Sequence, residues 1–150
     1  MPTGIPTKTG YTFVNWNTAK DGSGTPYTSG GQYGYDKNGG TVTLYAQWSE
    51  NYIKLNFYPN GASQSSEQAS NYPLTDGYYS RKYYYDNNYS ENGILNVGTV
   101  YTTPVGYYIT EATSWNTKAN GTGTNINHNT GYSSGQAIAQ VFGKTLVSSS

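Results

Sequence analysis

The sequence predicts a mainly β protein built from short strands and frequent turns, with at most one short helix. Three observations carry that reading. Glycine and tyrosine are both far above ordinary usage, with 19 Gly and 18 Tyr in 150 residues, and Asn, Thr and Ser fill much of the rest. Tyr and Thr suit half-buried pleated strands, whereas Gly and Asn suit the turns between them. Several segments also alternate apolar and polar residues with period two, and turn-forming clusters bound them.

Residues 1–9 read as an extended lead-in. Gly10 opens a first strand in which Tyr11, Phe13 and Asn15 alternate with Thr12, Val14 and Trp16. Both faces carry aromatic or apolar groups, as in a strand covered on two sides. Asp21-Gly22-Ser23-Gly24 is a turn, and Pro26-Tyr27 begins another extended piece. Asp36-Lys37-Asn38-Gly39-Gly40 is a hairpin signal, because Asn-Gly fits a type I′ turn. Thr41 to Trp48 then predicts a strand, with Val42, Leu44, Ala46 and Trp48 on the core face. Ser49 to Asn51 is a boundary. Ile53, Leu55 and Phe57 form one face of the next strand, which turns at Pro59-Asn60-Gly61. Ala62 to Ser70 is the one plausible helix, too short to stand without packing against a sheet. Asn71 to Tyr108 holds 10 of the 18 tyrosines. Ile94 to Tyr101 predicts a strand broken near Gly98. TLVSSS reads as a frayed end or a linker stub.

Composition also narrows function. Charged residues make up 11% of the chain and the formal net charge is zero. No basic field exists for nucleic acid or for an anionic membrane surface. No apolar run approaches the roughly 20 residues of a spanning helix, and no signal-peptide pattern is visible at the N-terminus. With no cysteine there is neither a disulfide nor a thiolate metal site.

An internal repeat organises the chain. WNTAKDGSGT (Trp16 to Thr25) aligns with WNTKANGTGT (Trp115 to Thr124), with six of ten positions identical. Asp21 becomes Asn120 and Ser23 becomes Thr122. Upstream, Gly10-Tyr11 matches Gly106-Tyr107; downstream, Leu44-Tyr45-Ala46-Gln47-Trp48 is aligned with Ala137-Ile138-Ala139-Gln140-Val141. Ordered blocks separated by loops of changing length indicate duplication with drift.

GYTFVNWNTAKDGSGTPY followed by TLYAQW closely resembles the Listeria–Bacteroides repeat, also called the internalin B repeat. The resemblance implies two small β-grasp-like (α+β) units of the kind found in tandem on bacterial surface proteins and in some phage proteins. Residues 1–48 form a unit lacking its first strand. Residues 52–143 form a complete but degenerate unit with a Tyr-rich insertion at about 71–103, and 144–150 is a tail. A unit without its first strand exposes unpaired backbone groups, so work within an assembly is expected.

No catalytic constellation is found, and the protein is read as a non-enzyme without cofactor or metal. His128, the single histidine, lies in a polar loop stretch. The Asp21 turn lacks the further carboxylates that calcium wants. Tyr11, Phe13, Trp16, Gly22, Gly24, Leu44, Trp48, Trp115, Gly121 and Gly123 are assigned to core and turns. The candidate interaction patch is Tyr78, Tyr79, Arg81, Lys82, Tyr83, Tyr84, Tyr85 and Tyr89, since tyrosine offers stiff contact area with a polar tip. Alternate tyrosines building a two-sided sheet is the competing reading. The expected partners are neighbouring protein subunits, with a host-surface glycan as a further candidate, and the expected place is extracellular or on a virion surface. The leading functional reading is a phage capsid decoration, cement or fibre subunit. The alternative is an adhesin or spacer module of a bacterial cell-surface protein, and a glycan-binding module is the distant third.

Overall fold

The computed structural model describes residues 4–32, 39–91, 93–105, 115–127 and 130–148. The Asp36 end of the expected hairpin turn, the Gly106-Tyr107 match and His128 lie outside the described residues. The architecture is mainly β, made of small antiparallel sheets.

β1 (Tyr11–Asn17) is the middle strand of a three-stranded sheet. It lies between β2 (Pro26–Tyr27) and β3 (Tyr45–Glu50), both antiparallel to it. The register of β1 against β3 shifts between Phe13 and Asn15, which marks a bulge at Val14. The bulge puts Trp16 on the same face as Tyr11 and Phe13, so the large rings of β1 share one face, against the expected cover on two sides. β3 starts four residues later than the expected Thr41. Asn17, the last residue of β1, faces Tyr45, so among the described residues no strand stands opposite 41–44, and Val42 is 49% exposed rather than core-facing.

β4 (Tyr52–Phe57) follows β3 after one residue and pairs antiparallel with β5 (Tyr79–Tyr84). Asn51 joins the two sheets. Its N–H donates to Gly10 O at 2.9 Å, and its carbonyl accepts from Tyr85 N at 2.9 Å. The start of β1 and the end of β5 therefore meet on this one residue. Gly10 has φ 79° there, and a Cβ on it would collide with the Tyr85 ring, so both backbone and space demand glycine. Thr12 Oγ1 donates to Asn51 Oδ1 at 2.6 Å, and Asp86 N donates to Glu50 Oε1 at 2.6 Å, which closes the joint.

Among the described residues, three helical segments replace the single one expected. α1 (Ser66–Asn71) carries a capping box: Gln68 N donates to Ser65 Oγ, and Ser65 N donates to Gln68 Oε1. It packs beside α2 (Val97–Val100) rather than on a sheet, through Gln68 Nε2 to Gly98 O at 3.0 Å. α2 overturns the strand expected over Ile94–Tyr101. Asn96 Oδ1 accepts from Gly98 N at 2.8 Å and starts a helical turn there. α3 (Gly135–Val141) overturns the alignment of Ala137–Val141 with the closing strand of the first unit. Ser134 caps it, with Ala137 N donating to Ser134 Oγ at 3.1 Å. Gly135 lets it pass directly against the carbonyls of Tyr83 and Tyr84. The closing role falls to Val147, which exchanges both backbone bonds with Tyr52 (2.8 and 3.0 Å) and so ties down the segment expected to fray.

The core belongs almost wholly to the second half. Ile53, Phe57, Tyr83, Ile94, Leu95, Val100, Tyr101, Ile126, Ile138 and Ala139 are buried and contiguous. Among the described residues before β4, only Asn17 is buried, at 2% exposure. Its side chain holds the turn from inside. Oδ1 accepts from Ala19 N at 2.8 Å, and Nδ2 donates to Gly22 O at 3.1 Å and Gly24 O at 3.4 Å. Asn17→Ala removes these bonds and leaves enclosed backbone groups unpaired, at about 1–3 kcal/mol. Urea unfolding followed by tryptophan emission should show that loss, and an unchanged midpoint would contradict the role given to Asn17.

Candidate functional site

The second turn repeats the central hydrogen bonds of the first. Asn116 sits before the second turn as Asn17 sits before the first. Its Oδ1 accepts from Lys118 N at 2.9 Å, and its Nδ2 donates to Gly121 O at 3.1 Å and Gly123 O at 3.3 Å. Thr18 Oγ1 accepts from Thr25 N, and Thr117 Oγ1 from Thr124 N, both at 2.9 Å. β6 (Trp115–Asn116) pairs with β7 (Asn125–Ile126) in the register of β1 with β2. A Cβ on Gly24 would strike Thr18 Oγ1, and one on Gly123 would strike Thr117 Oγ1. Gly22 and Gly121 take φ of 82° and 77°. Asp21 Oδ1 accepts from Ser23 N at 3.0 Å and Ser23 Oγ at 2.7 Å, and these bonds hold its carboxyl below the usual range. Asn120 Oδ1 accepts from Thr122 N and Oγ1 at 3.1 and 2.8 Å. An amide oxygen serves as well as a carboxylate, so the geometry asks for an acceptor and not for a charge.

Tyr11, Phe13, Trp16, Leu44, Trp48 and Trp115 are all half-buried. Phe13 lies edge-on to Trp16 at 5.4 Å and to Trp48 at 5.8 Å. Trp115 packs against Phe57 at 4.7 Å and Tyr101 at 6.2 Å, and its indole N–H donates to Leu95 O at 2.6 Å.

The tyrosine patch divides between the faces of β5, because successive strand side chains point opposite ways. Tyr83, placed in the patch by sequence, is instead a core residue at 1% exposure. Its hydroxyl accepts from Leu95 N at 3.2 Å, and Tyr89 packs edge-on against it at 5.1 Å. Tyr89 in turn accepts from Tyr84 N at 2.9 Å through its own hydroxyl. Tyr79 lies against Phe57 and Tyr72, and Arg81 shares its half-buried side of the strand. Tyr78 pairs with Tyr58, which is 60% exposed, at 4.6 Å. Tyr85 packs on Tyr11 at the joint. What remains outward on β4–β5 is Tyr52 opposite Tyr84, Lys54 opposite Lys82, and Asn56 opposite Ser80. Lys82 Nζ sits 4.5 Å over the Tyr52 ring, and Ser80 Oγ donates to Asn56 Oδ1 at 2.8 Å.

Sequence reasoning missed Asn17, Asn116, Leu95 and Tyr101 as organising residues. The two asparagines were among the identical positions of the repeat and could have been found there. Tyr101 donates to Phe57 O, a contact across 44 residues that no local pattern signals.

Residues 1–47 match the family model described as the Listeria-Bacteroides repeat domain, and this segment carries such a repeat. A Gly-rich protein of Evansella cellulosilytica, whose name provisionally makes it a membrane protein, is 46% identical over 65 residues. That alignment covers 43% of this chain and 7% of the relative. A second protein of the same organism, also named provisionally for the membrane, is 46% identical over 48 residues, which is 32% of this chain and 7% of the relative. The chain thus spans about 7% of the length of the curated relatives it matches. No solved structure matches the chain at a significant level. Among the described residues, no helix is long and apolar enough to cross a membrane.

Two outcomes follow from this geometry. Burial raises the Tyr83 phenol above 10.0, opposed in part by the bond from Leu95 N, and burial also raises that of Tyr101. Both contribute stability that is whole below about pH 10 and is lost as pH climbs through their folded values. Melting temperature should therefore hold to about pH 10 and then fall, with a shallower fall in Tyr83→Phe, which is also about 1–3 kcal/mol less stable at neutral pH because Leu95 N–H loses its acceptor. Lys54 and Lys82 are like charges directly opposite, so Lys54→Glu should raise stability by roughly 0.2–1 kcal/mol at low salt, an increase that added salt diminishes.

Proposed function

We propose that this chain is a non-enzymatic repeat module of a bacterial cell-surface protein, acting through protein contacts. The observation that carries the reading is the match of residues 1–47 to the Listeria-Bacteroides repeat domain. The two relatives support it, since both are named for the membrane and both are far longer than this chain. The phage virion reading, preferred on sequence alone, rested on the visible N-terminus and the open first unit, and the similarities found favour the surface reading over it. On this proposal the units run over residues 1–48 and 52–143. The second has lost most of its resemblance outside the turn, yet it holds the buried core.

The chemistry is consistent with a module whose work is contact. Exposed aromatic and hydroxyl groups on rigid strands give adaptable recognition surfaces at low entropic cost. The outward Tyr52, Tyr84, Lys54 and Lys82 form one such surface, and the Tyr58–Tyr78 pair forms another.

Protease shaving of intact source cells, followed by mass spectrometry, tests the location. Tryptic peptides from residues 55–81 should be released before any cytosolic marker. Recovery of the chain in purified virus-like particles, with none released from cells, would overturn the surface reading.

A further inference from the structure

Tyrosine rings meet at several places in the described residues, and one meeting differs from the rest. Tyr58 and Tyr78 lie with ring centroids 4.6 Å apart and ring planes inclined by 34°. That is the close end of the spread of about 4.5–7 Å found for aromatic pairs. Tyr58 is 60% exposed and Tyr78 half-buried, so a dissolved reagent reaches the pair. The backbone sets the approach. Tyr58 follows Phe57, Tyr78 precedes Tyr79, and Phe57 and Tyr79 are partners in the β4–β5 ladder. Residues opposite one another on neighbouring strands are held within reach of each other's side chains.

Other tyrosine pairs among the described residues are arranged differently. Tyr72 meets Tyr79 at 86°, and Tyr11 meets Tyr85 at 73°. An edge-on pair aims the rim of one ring at the face of the other, which keeps their rim carbons apart. Tyr83 meets Tyr89 at 67°, and Tyr83 is shut in at 1% exposure. Tyr52 and Tyr84 stand 5.9 Å apart at 60°, and Lys82 Nζ covers the Tyr52 ring. The place of the Tyr58–Tyr78 pair also matters. Between the two residues the chain runs out through the Asn60-Gly61 turn and α1 and then returns. α1 has no buried residue, and Gln68 holds it from outside, donating to Gly98 O and accepting from Thr102 Oγ1. The pair stands at the base of this excursion, and the chain has no cysteine with which to close it.

We propose that Tyr58 and Tyr78 form an oxidative cross-linking site, at which the two rings are joined as a dityrosine. The oxidant is hydrogen peroxide, used through a haem peroxidase. It takes one hydrogen atom from each phenol O–H and leaves as two waters. Each phenoxyl radical spreads its unpaired electron onto the Cε carbons beside the hydroxyl. A C–C bond forms between one Cε of Tyr58 and one Cε of Tyr78. The hydrogen on each of those carbons then moves to the phenolic oxygen, so both rings and both hydroxyls are restored. The net change is two C–H bonds lost, one C–C bond gained and one peroxide reduced. The link closes the excursion that carries α1, and a covalent closure stabilises chiefly by restricting the unfolded chain. The proposal does not rest on the cell-surface reading, because the purified chain tests it.

The test is to treat the full chain with a haem peroxidase and limiting hydrogen peroxide, then to follow the blue emission of dityrosine and to map the link by mass spectrometry. Trypsin releases residues 55–81 as one peptide, which should have lost two hydrogen atoms. Further cleavage after Glu67 separates Tyr58 from Tyr78 in sequence, yet the two halves should stay joined, with fragment masses placing the link on those two rings. The yield should be unchanged when the chain is diluted about tenfold, since the partners share one molecule. Tyr58→Phe keeps the ring and removes the phenol, and should abolish the joined halves and most of the emission, whereas Tyr52→Phe should leave both at the level of the unsubstituted chain. The linked chain should melt roughly 5–10 °C higher than the unlinked one. The proposal is overturned if the joined halves are absent or persist in Tyr58→Phe, or if the main link falls on other tyrosines. Linkage chiefly between separate chains, or an unchanged melting temperature, would overturn it as well.

Discussion

The structure depends on the two backbone bonds made by Asn51. Its N–H completes the β1–β3 ladder and its carbonyl begins the β4–β5 ladder. Strand pairing normally ends where a loop starts, yet here two ladders meet with one residue between them. Everything at the joint serves that meeting: the bare backbone of Gly10 under the Tyr85 ring, the Thr12 hydroxyl on the Asn51 side chain, and the Glu50 carboxylate on Asp86 N. The well-packed second half thereby anchors a first half that has little core of its own.

That imbalance accounts for much of the chemistry. A sheet without a thick apolar layer must obtain its order locally, and the asparagine-centred turn supplies it. One side chain bonds three backbone groups, and the following threonine and glycines are fitted around it. The second copy keeps the same bonds although its sheet is reduced to two-residue strands. The turn keeps its form beside two-residue strands because most of its hydrogen bonds are its own.

The strands β1 and β4 and the repeat turn were legible in the sequence, because alternation and the Gly-Asn turn signals are local. The resemblance of Gly10 to Trp48 to the Listeria–Bacteroides repeat was legible for the same reason. The helices were not. Asn96 could as well interrupt a strand as cap a helix, and only burial of Ile94, Leu95 and Val100 beside it decides. Ala137 to Val141 alternates acceptably as a strand, but Gly135 fits under the Tyr84 carbonyl and Ile138 and Ala139 face the core as a helix. The tyrosine patch was misread in part for a related reason. Composition locates aromatic rings along the chain, whereas the strand's alternation decides that Tyr83 goes inward and Tyr84 does not.

The Asn51 joint also has a mechanical meaning. β3, Asn51 and β4 form one nearly unbroken extended run from Tyr45 to Phe57, with β1 and β5 fastened along it. Tension applied along that run loads each ladder lengthwise, and the bonds of a ladder must then yield together. Tension applied across it would open them one at a time. A junction between sheets built in this way passes force directly from one to the next, with no slack segment between them to be drawn out first.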